Sequence, residues 1–109
     1  DQFVVILDRE AEADLASIQQ FVEQASGRRA AADLIRRILA YCRGLDTAPH
    51  RGTRHDHILT GLRIVGWKRT ATIAFRVDDT AKQVSILGVF YRGRDVTEAI
   101  GSRLHPGEE

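Results

Sequence analysis

The chain has 109 residues, of which 43% are hydrophobic and 28% charged. This composition is typical of one soluble globular domain, here residues 1–109. No apolar run approaches the roughly 20 residues that a membrane-spanning helix needs, which excludes an integral membrane protein of the helical kind. The single cysteine, Cys42, excludes an internal disulfide and suits the reducing cytoplasm, where we expect the protein to reside.

The net charge of +1 conceals separated charge blocks. Residues 1–26 contain six acids and one base, residues 27–45 contain five arginines and one acid, and residues 49–69 contain five bases and one acid. Such blocks usually form solvated faces of a protein. A basic block also attracts an acidic partner, either nucleic acid or an acidic peptide, and charge alone does not decide between these possibilities.

The first third of the chain predicts one strand and one helix. Residues 3–7 are a continuous apolar run rich in β-branched residues, which predicts a short buried strand. Apolar residues then recur in steps of four and three, which draws one stripe along a helix that ends near Gly27. The stripe consists of Ala11, Leu15, Ile18, Val22 and Ala25.

A second helix follows almost at once, with the same spacing of apolar residues. Its stripe consists of Ala31, Ile35, Ile38, Cys42 and Leu45. Because so few residues link the two helices, we expect them to lie antiparallel as a hairpin with their stripes together. Pro49 cannot continue the second helix and lies just beyond its end.

The remainder predicts a polar loop, three strands and a short helix. Residues 46–61 are polar and contain two glycines, whereas residues 62–65, 71–77 and 83–91 have strand patterns. Asp95 can cap a last helix that extends to about residue 102. The predicted fold is therefore α+β in the order β-α-α-β-β-β, with the helical hairpin packed on a mostly antiparallel four-stranded sheet and a short C-terminal helix.

Several local patterns accompany this order of elements along nearly the whole chain. They are residues 13–18 (ADLASI), the second helix and its Pro49-x-x-Gly52 exit, 61–63 (GLR), 73–77 (IAFRV), 84–89 (VSILGV) and 92–95 (RGRD). Each pattern alone is weak, but their order together resembles the RelE/ParE superfamily of bacterial toxins, and is most like its ParE branch.

The resemblance implies a toxin of a type II toxin–antitoxin system, with a ParD-like antitoxin as its partner. Members of the ParE branch inhibit DNA gyrase and are not nucleases, whereas RelE-like members cleave mRNA on the ribosome. A shared fold cannot decide between these activities. The resemblance implies no cofactor and no membrane partner.

Four arginines are the candidate residues for target binding: Arg63, Arg76, Arg92 and Arg94. Strand alternation suggests that Arg63 and Arg76 share one face of the sheet, although pairing with surface carboxylates is an equally good interpretation of both. In the alternative of an mRNA endonuclease, the catalytic set would be Arg63, Arg76, Tyr91 and Arg92. The tyrosine near the C-terminus of the ribonuclease branch is missing here, which favours the ParE interpretation, because arginines position phosphates but do not shuttle protons.

Three other reactive residues have plain interpretations. His55 and His57 in the basic loop could form half of a metal site, but no further ligand is near in sequence, so no metal is predicted. They could also form an acid–base pair in the nuclease alternative. Cys42 lies on the apolar stripe of the second helix, where a buried, unreactive thiol is expected.

Overall fold

The computed structural model of the chain describes residues 2–92 and 95–104. In chain order the elements are β1 (Val4–Leu7), α1 (Arg9–Ser26), α2 (Arg28–Arg43), a 3-10 turn (Gly44–Asp46), β2 (Thr53–Arg54), β3 (Leu62–Trp67), β4 (Ala71–Asp78), β5 (Gln83–Tyr91) and α3 (Val96–Leu104). Within these described ranges no helix is both long enough and apolar enough to cross a lipid bilayer.

The sheet has the strand order β1-β5-β4-β3-β2. The strand β1 runs parallel to β5, and the other neighbours are antiparallel, so the prediction of a mostly antiparallel sheet is confirmed. The four predicted strands are present, but the first is an edge strand in which Val4 and Ile6 are exposed, so the prediction of a buried strand is wrong. The sheet also has a fifth strand, because Thr53 and Arg54 pair with Ile64 and Arg63. Two residues carry no periodic pattern, so this edge strand could not be seen within the predicted polar loop.

The helical hairpin α1–α2 covers one face of the sheet, which we call the hairpin face. Gly27 alone links the two helices, at a φ of 95° that favours glycine. The stripes of both helices pack with alternate residues of β4, among them Ile73 and Phe75. Both stripes are confirmed, except that Ala25 is exposed at the end of α1. The core therefore lies on the helix faces that the spacing of the apolar residues predicts.

The helix α3 covers the opposite face of the sheet, which we call the α3 face. Its residues Val96 and Ile100 pack with Phe90 and with Ala74 of β4. The carboxylate of Asp95 accepts a hydrogen bond of 3.1 Å from the backbone N–H of Glu98, so the predicted cap of this helix is confirmed. The sheet is thus covered by helices on both faces, and its two ends are left for the charged side chains.

Candidate functional site

Arg63 and Arg76 lie on opposite faces of the sheet, so the prediction of a shared face is wrong. The register pairs Arg63 with Phe75, which belongs to the hairpin face, and pairs Arg76 with Leu62, which belongs to the α3 face. Directly paired residues share a face. Alternation fixes faces within one strand but not between two strands of unknown register, which explains the error.

Both arginines nevertheless line one cleft of about 520 Å³, where β3 begins and β4 ends. Gly61 forms its wall at a φ of 85°, and a Cβ there would lie 2.6 Å from the carbonyl oxygen of Val77. Only glycine therefore allows the two strand ends to approach this closely. The two arginines therefore reach the same cleft from opposite faces of the sheet, because the cleft lies at the ends of their strands.

The two arginines are held by backbone carbonyl groups rather than by acids. The Nε of Arg76 donates to the carbonyl oxygen of Thr60 at 3.0 Å, and Nη1 of Arg63 donates to that of Arg51 at 3.4 Å. Within the described part of the chain, no carboxylate lies within 4.0 Å of either guanidinium. The interpretation of both as members of surface ion pairs is therefore wrong, and each keeps N–H groups for an anion.

The carboxylates of the same cleft are engaged locally. Asp79 lies 2.8 Å from Nε2 of His50. Asp56 accepts hydrogen bonds from the backbone N–H of Gly61 and from Nε of Arg54, each at 2.9 Å. The bond from Gly61, followed by that from Arg54, holds the pKa of Asp56 below its ordinary value. No local pattern indicates the His50–Asp79 pair, since these residues are 29 positions apart.

Tyr91 and Arg92 lie at the other end of the sheet. Tyr91 pairs with Ala71, five residues along β4 from Arg76, which corresponds to about 17 Å of strand. Arg92 is exposed, and its guanidinium lies 5.1 Å from the centre of the Tyr91 ring. The predicted basic cluster is therefore divided between the two ends of the sheet. The fourth arginine, Arg94, lies outside the described residues.

An apolar groove lies beside Tyr91 and Arg92, with a volume of about 410 Å³. The side chain of Phe21 in α1 is 58% exposed there and makes an edge contact with the Tyr91 ring, with 5.8 Å between ring centres. Ile18 and Val89 complete its apolar lining. A large aromatic side chain left this exposed on a small domain marks a surface that a partner can cover.

The pair of Asp14 in α1 and Arg103 in α3 joins the two faces, and sequence reasoning missed it. The guanidinium makes two bonds to the carboxylate, of 2.6 and 2.8 Å, and donates to the carbonyl oxygen of Leu87 at 3.2 Å. Asp14 also accepts the backbone N–H of Val89 at 2.9 Å. These bonds cover the edge of β5 that β1 leaves open, and the carboxylate raises the pKa of Arg103. A pair 89 positions apart leaves no sequence signal.

The remaining candidates do not assemble a reactive centre. No group of three potential ligands that could hold a metal ion occurs among residues 2–92 and 95–104. The His55 and His57 rings lie 5.7 Å apart, and His55 Nδ1 is buried without a hydrogen-bond partner there. Cys42 is fully buried, and its burial raises the pKa of the thiol to about 11, which confirms the expected unreactive thiol.

Comparison with solved structures supports the same fold. A chain from "Chromosomal ParDE TA system from P. aeruginosa" superposes with a TM-score of 0.71 at 22% identity, covering 84% of this chain and 98% of that one. A chain of the RelBE2 toxin–antitoxin complex from Mycobacterium tuberculosis gives 0.63 at 19%, covering 84% and 100%. The isolated RelE toxin of E. coli gives 0.53 at 10%, covering 94% and 97%. No curated protein matches the chain.

Sequence comparison identifies the family. Residues 5–96 match the family described as "ParE toxin of type II toxin-antitoxin system, parDE". The matched segment contains β1 from its second residue, β2 to β5, both helices of the hairpin and the arginines of both sheet ends. It stops at the first residue of α3, so the family pattern does not include Arg103. The chain therefore belongs to the ParE toxin family and is the toxin component of a type II toxin–antitoxin system.

Proposed function

We propose that this toxin acts as a single domain in the cytoplasm, where it binds and inhibits DNA gyrase, and that a ParD-like antitoxin neutralises it. The observation that carries the proposal is the family match, taken with the separation of Arg63 and Arg76 from Tyr91 and Arg92. Metal-free RNA cleavage needs a base, an acid and phosphate-binding cations around one phosphodiester. Residues about 17 Å apart along a strand cannot surround one phosphate.

The arginines act in this proposal as contacts to the target rather than as catalytic groups. Arg63 and Arg76 present unpaired N–H groups in the cleft, and Arg92 serves the other end of the sheet. Arg94, which lies outside the described residues, is the fourth proposed contact. Guanidinium groups bind carboxylates and phosphates in a bidentate manner, so either the enzyme or its DNA suits them.

The groove around Phe21 suits the antitoxin. Its apolar lining accepts the hydrophobic anchors of a peptide, and Arg92 at its rim suits a carboxylate beside such an anchor. Two of the structurally similar chains come from proteins solved as toxin–antitoxin systems or complexes, which supports a partner of this kind.

The test measures gyrase and translation side by side. Purified gyrase is assayed for supercoiling and for trapped DNA cleavage with the toxin added, and an in-vitro translation reaction receives the same toxin. We expect trapped cleavage with translation unimpaired, and release of the inhibition when the antitoxin is added. Intact gyrase activity together with codon-positioned cuts in mRNA would refute the proposal and favour the ribosomal endonuclease.

Variants then test the cleft. Replacing Arg63 and Arg76 by glutamine removes both cations, and we expect the inhibition to weaken by roughly tenfold or more, the scale of one charged contact. Arg54→Gln is the matched control, because Arg54 lines the same cleft but is already bound to Asp56. An equal effect of both variants would show that the cleft arginines have no special part in target binding.

A further inference from the structure

The connection between β3 and β4 has a backbone conformation that its residues disfavour. Lys68 and Arg69 have φ angles of 49° and 56°, and the backbone N–H of Thr70 donates to the carbonyl oxygen of Trp67 at 2.9 Å. Hairpin turns with two consecutive positive φ values strongly prefer Asn-Gly, since other side chains crowd the backbone there. A lysine and an arginine at these positions are a local strain that the fold does not require.

Arg92 repeats this pattern next to the turn. It has a φ of 48°, and its backbone N–H donates to the carbonyl oxygen of Thr70 at 2.9 Å. All four non-glycine residues with positive φ in the described chain are cationic, and three of them are adjacent here. We call Arg37, Lys68, Arg69 and Arg92 the tip cations. Strain concentrated at one place indicates a role for the side chains that it presents.

Aromatic rings orient three of the tip cations and leave their charge intact. Arg37 and Lys68 each lie 5.6 Å from the centre of the Trp67 ring, and Arg92 lies 5.1 Å from that of Tyr91. In the part of the chain that the structure describes, the carboxylate at ion-pair distance from a tip cation is that of Asp33, 3.9 Å from Arg37. Lys68, Arg69 and Arg92 are exposed. The tip is thus a preorganised patch of positive charge.

We propose that the tip cations bind the phosphate backbone of duplex DNA. The patch surrounds the end of the sheet where the β3–β4 turn lies beside Tyr91 of β5, so it presents several positive charges at one end of the domain. The apolar groove of Phe21 reaches the tip only at Arg92, and Lys68 and Arg69 lie outside its lining, so these two cations are not part of the surface that suits a peptide's anchor residue. The phosphate groups of a duplex, in contrast, can be bound by exposed, spaced cations without such a groove. The role of this surface in toxicity rests on the proposed function, in which the target enzyme holds DNA.

The experiment compares wild-type protein with the double variant Lys68→Asn/Arg69→Gly, which installs the preferred turn sequence and removes two tip cations. Binding to a short labelled duplex is measured by fluorescence anisotropy over a range of salt concentrations. We expect the variant to bind roughly tenfold or more weakly, and the slope of log affinity against log salt to flatten by about two, close to one unit for each lost phosphate contact. Its thermal midpoint should rise by about 4 °C or more, because the strain is gone.

Lys82 supplies a matched control, since it is an exposed lysine with a φ of 56° in the turn between β4 and β5, at the opposite end of β4. Lys82→Gly should bind the duplex as the wild type does. Equal binding by the wild type and the double variant would overturn the proposal, as would an equal loss in Lys82→Gly. A lower midpoint of the double variant would also overturn it, because the two cations would then serve stability. Preference of the wild type for a polyglutamate peptide over the duplex would overturn it in favour of an acidic protein.

The gyrase assay separates the two proposals. If the wild type binds DNA through the tip but leaves gyrase unaffected, the proposed function fails and the DNA site stands. If the wild type inhibits gyrase and the double variant inhibits it equally, the proposed function stands and the tip has no part in it.

Discussion

The two faces of the sheet are held by different forces. Among the described residues, the hairpin face has a core of 17 buried residues, drawn mainly from both long helices and from β3, β4 and β5. Within the same ranges the α3 face has five. Burial of apolar area contributes in proportion to its extent, so the hairpin face carries most of the hydrophobic stabilisation. The α3 face depends in addition on the Asp14–Arg103 pair and on the loop that Asp56 closes.

The difference in apolar burial between the two faces indicates which part of the molecule unfolds first. Local stability follows apolar burial, and regions with few buried contacts unfold first. The helix α3, apart from its first residue, is also outside the family match, which ends at residue 96. We therefore expect α3 to dock on a sheet that α1 and α2 already stabilise.

Two isoleucines allow a matched test of this comparison, with the largest expected effect. Ile38 on the hairpin face is 0% exposed and Ile100 in α3 is 1% exposed. Replacing either by alanine leaves a cavity, but α3 can relax or detach, whereas α2 cannot. We expect Ile38→Ala to lower the free energy of unfolding by about 4 kcal/mol and Ile100→Ala by about 2 kcal/mol, as measured by urea denaturation. Equal losses would show that both faces unfold as one unit.

Removing the Asp14–Arg103 pair has the next largest effect. The side chains of Arg103 and Asp14 are 22% and 14% exposed, so Arg103→Ala leaves a largely buried carboxylate without its cation. We expect a loss of about 2–3 kcal/mol, below the range for fully buried pairs because of this exposure. Amide hydrogen exchange should accelerate in residues 96–104 and at Val89 while α2 stays protected. Uniform acceleration across the chain would contradict a separately docked α3.

Gly88 offers an independent check on the same pair. A Cβ at this position would lie 2.7 Å from Nη1 of Arg103 and 2.7 Å from the Phe90 ring. The missing side chain lets Arg103 cross the edge of β5 from one face to the other. Gly88→Ala should therefore accelerate exchange in α3 in the same pattern as Arg103→Ala.

The elements of the hairpin face were predictable from sequence because their information is local. The 4-3 spacing from Ala11 to Leu45 sets both helix faces, and the short link at Gly27 forces the hairpin. The strand alternation of β4 likewise assigns Phe75 and Arg76 to opposite faces correctly. The resemblance to the toxin superfamily then supplied the order of the elements.

The candidate site was less predictable because it depends on register and on distant pairs. No local sequence pattern indicates that Arg63 pairs with Phe75, so the prediction that Arg63 and Arg76 share a face was wrong. The pairing of Asp14 with Arg103 depends on where α3 docks, and the sequence of α3 alone does not indicate its docking position. The tip cations did leave one signal in the sequence. Lys68 and Arg69 follow Trp67 at a position where a tight turn prefers asparagine and glycine.

Acid should loosen the α3 face through Asp56, which is the smallest effect among these predictions. Its carboxylate holds the loop whose residues Ile58 and Leu59 pack on that face. Because the pKa of Asp56 is lower in the folded protein than its ordinary value of 3.8, the stabilisation is fully present above that pH and is lost as the pH falls through the folded value. NMR titration below pH 3.8 should shift the amide signals of Gly61 and Ile58 first, while those of the α2 core stay in place.

Asp56→Asn should remove this early step, since the amide keeps an oxygen for the Gly61 N–H but does not titrate. A step that persists in this variant would assign the acid response to another carboxylate and leave the loop no part in holding the α3 face.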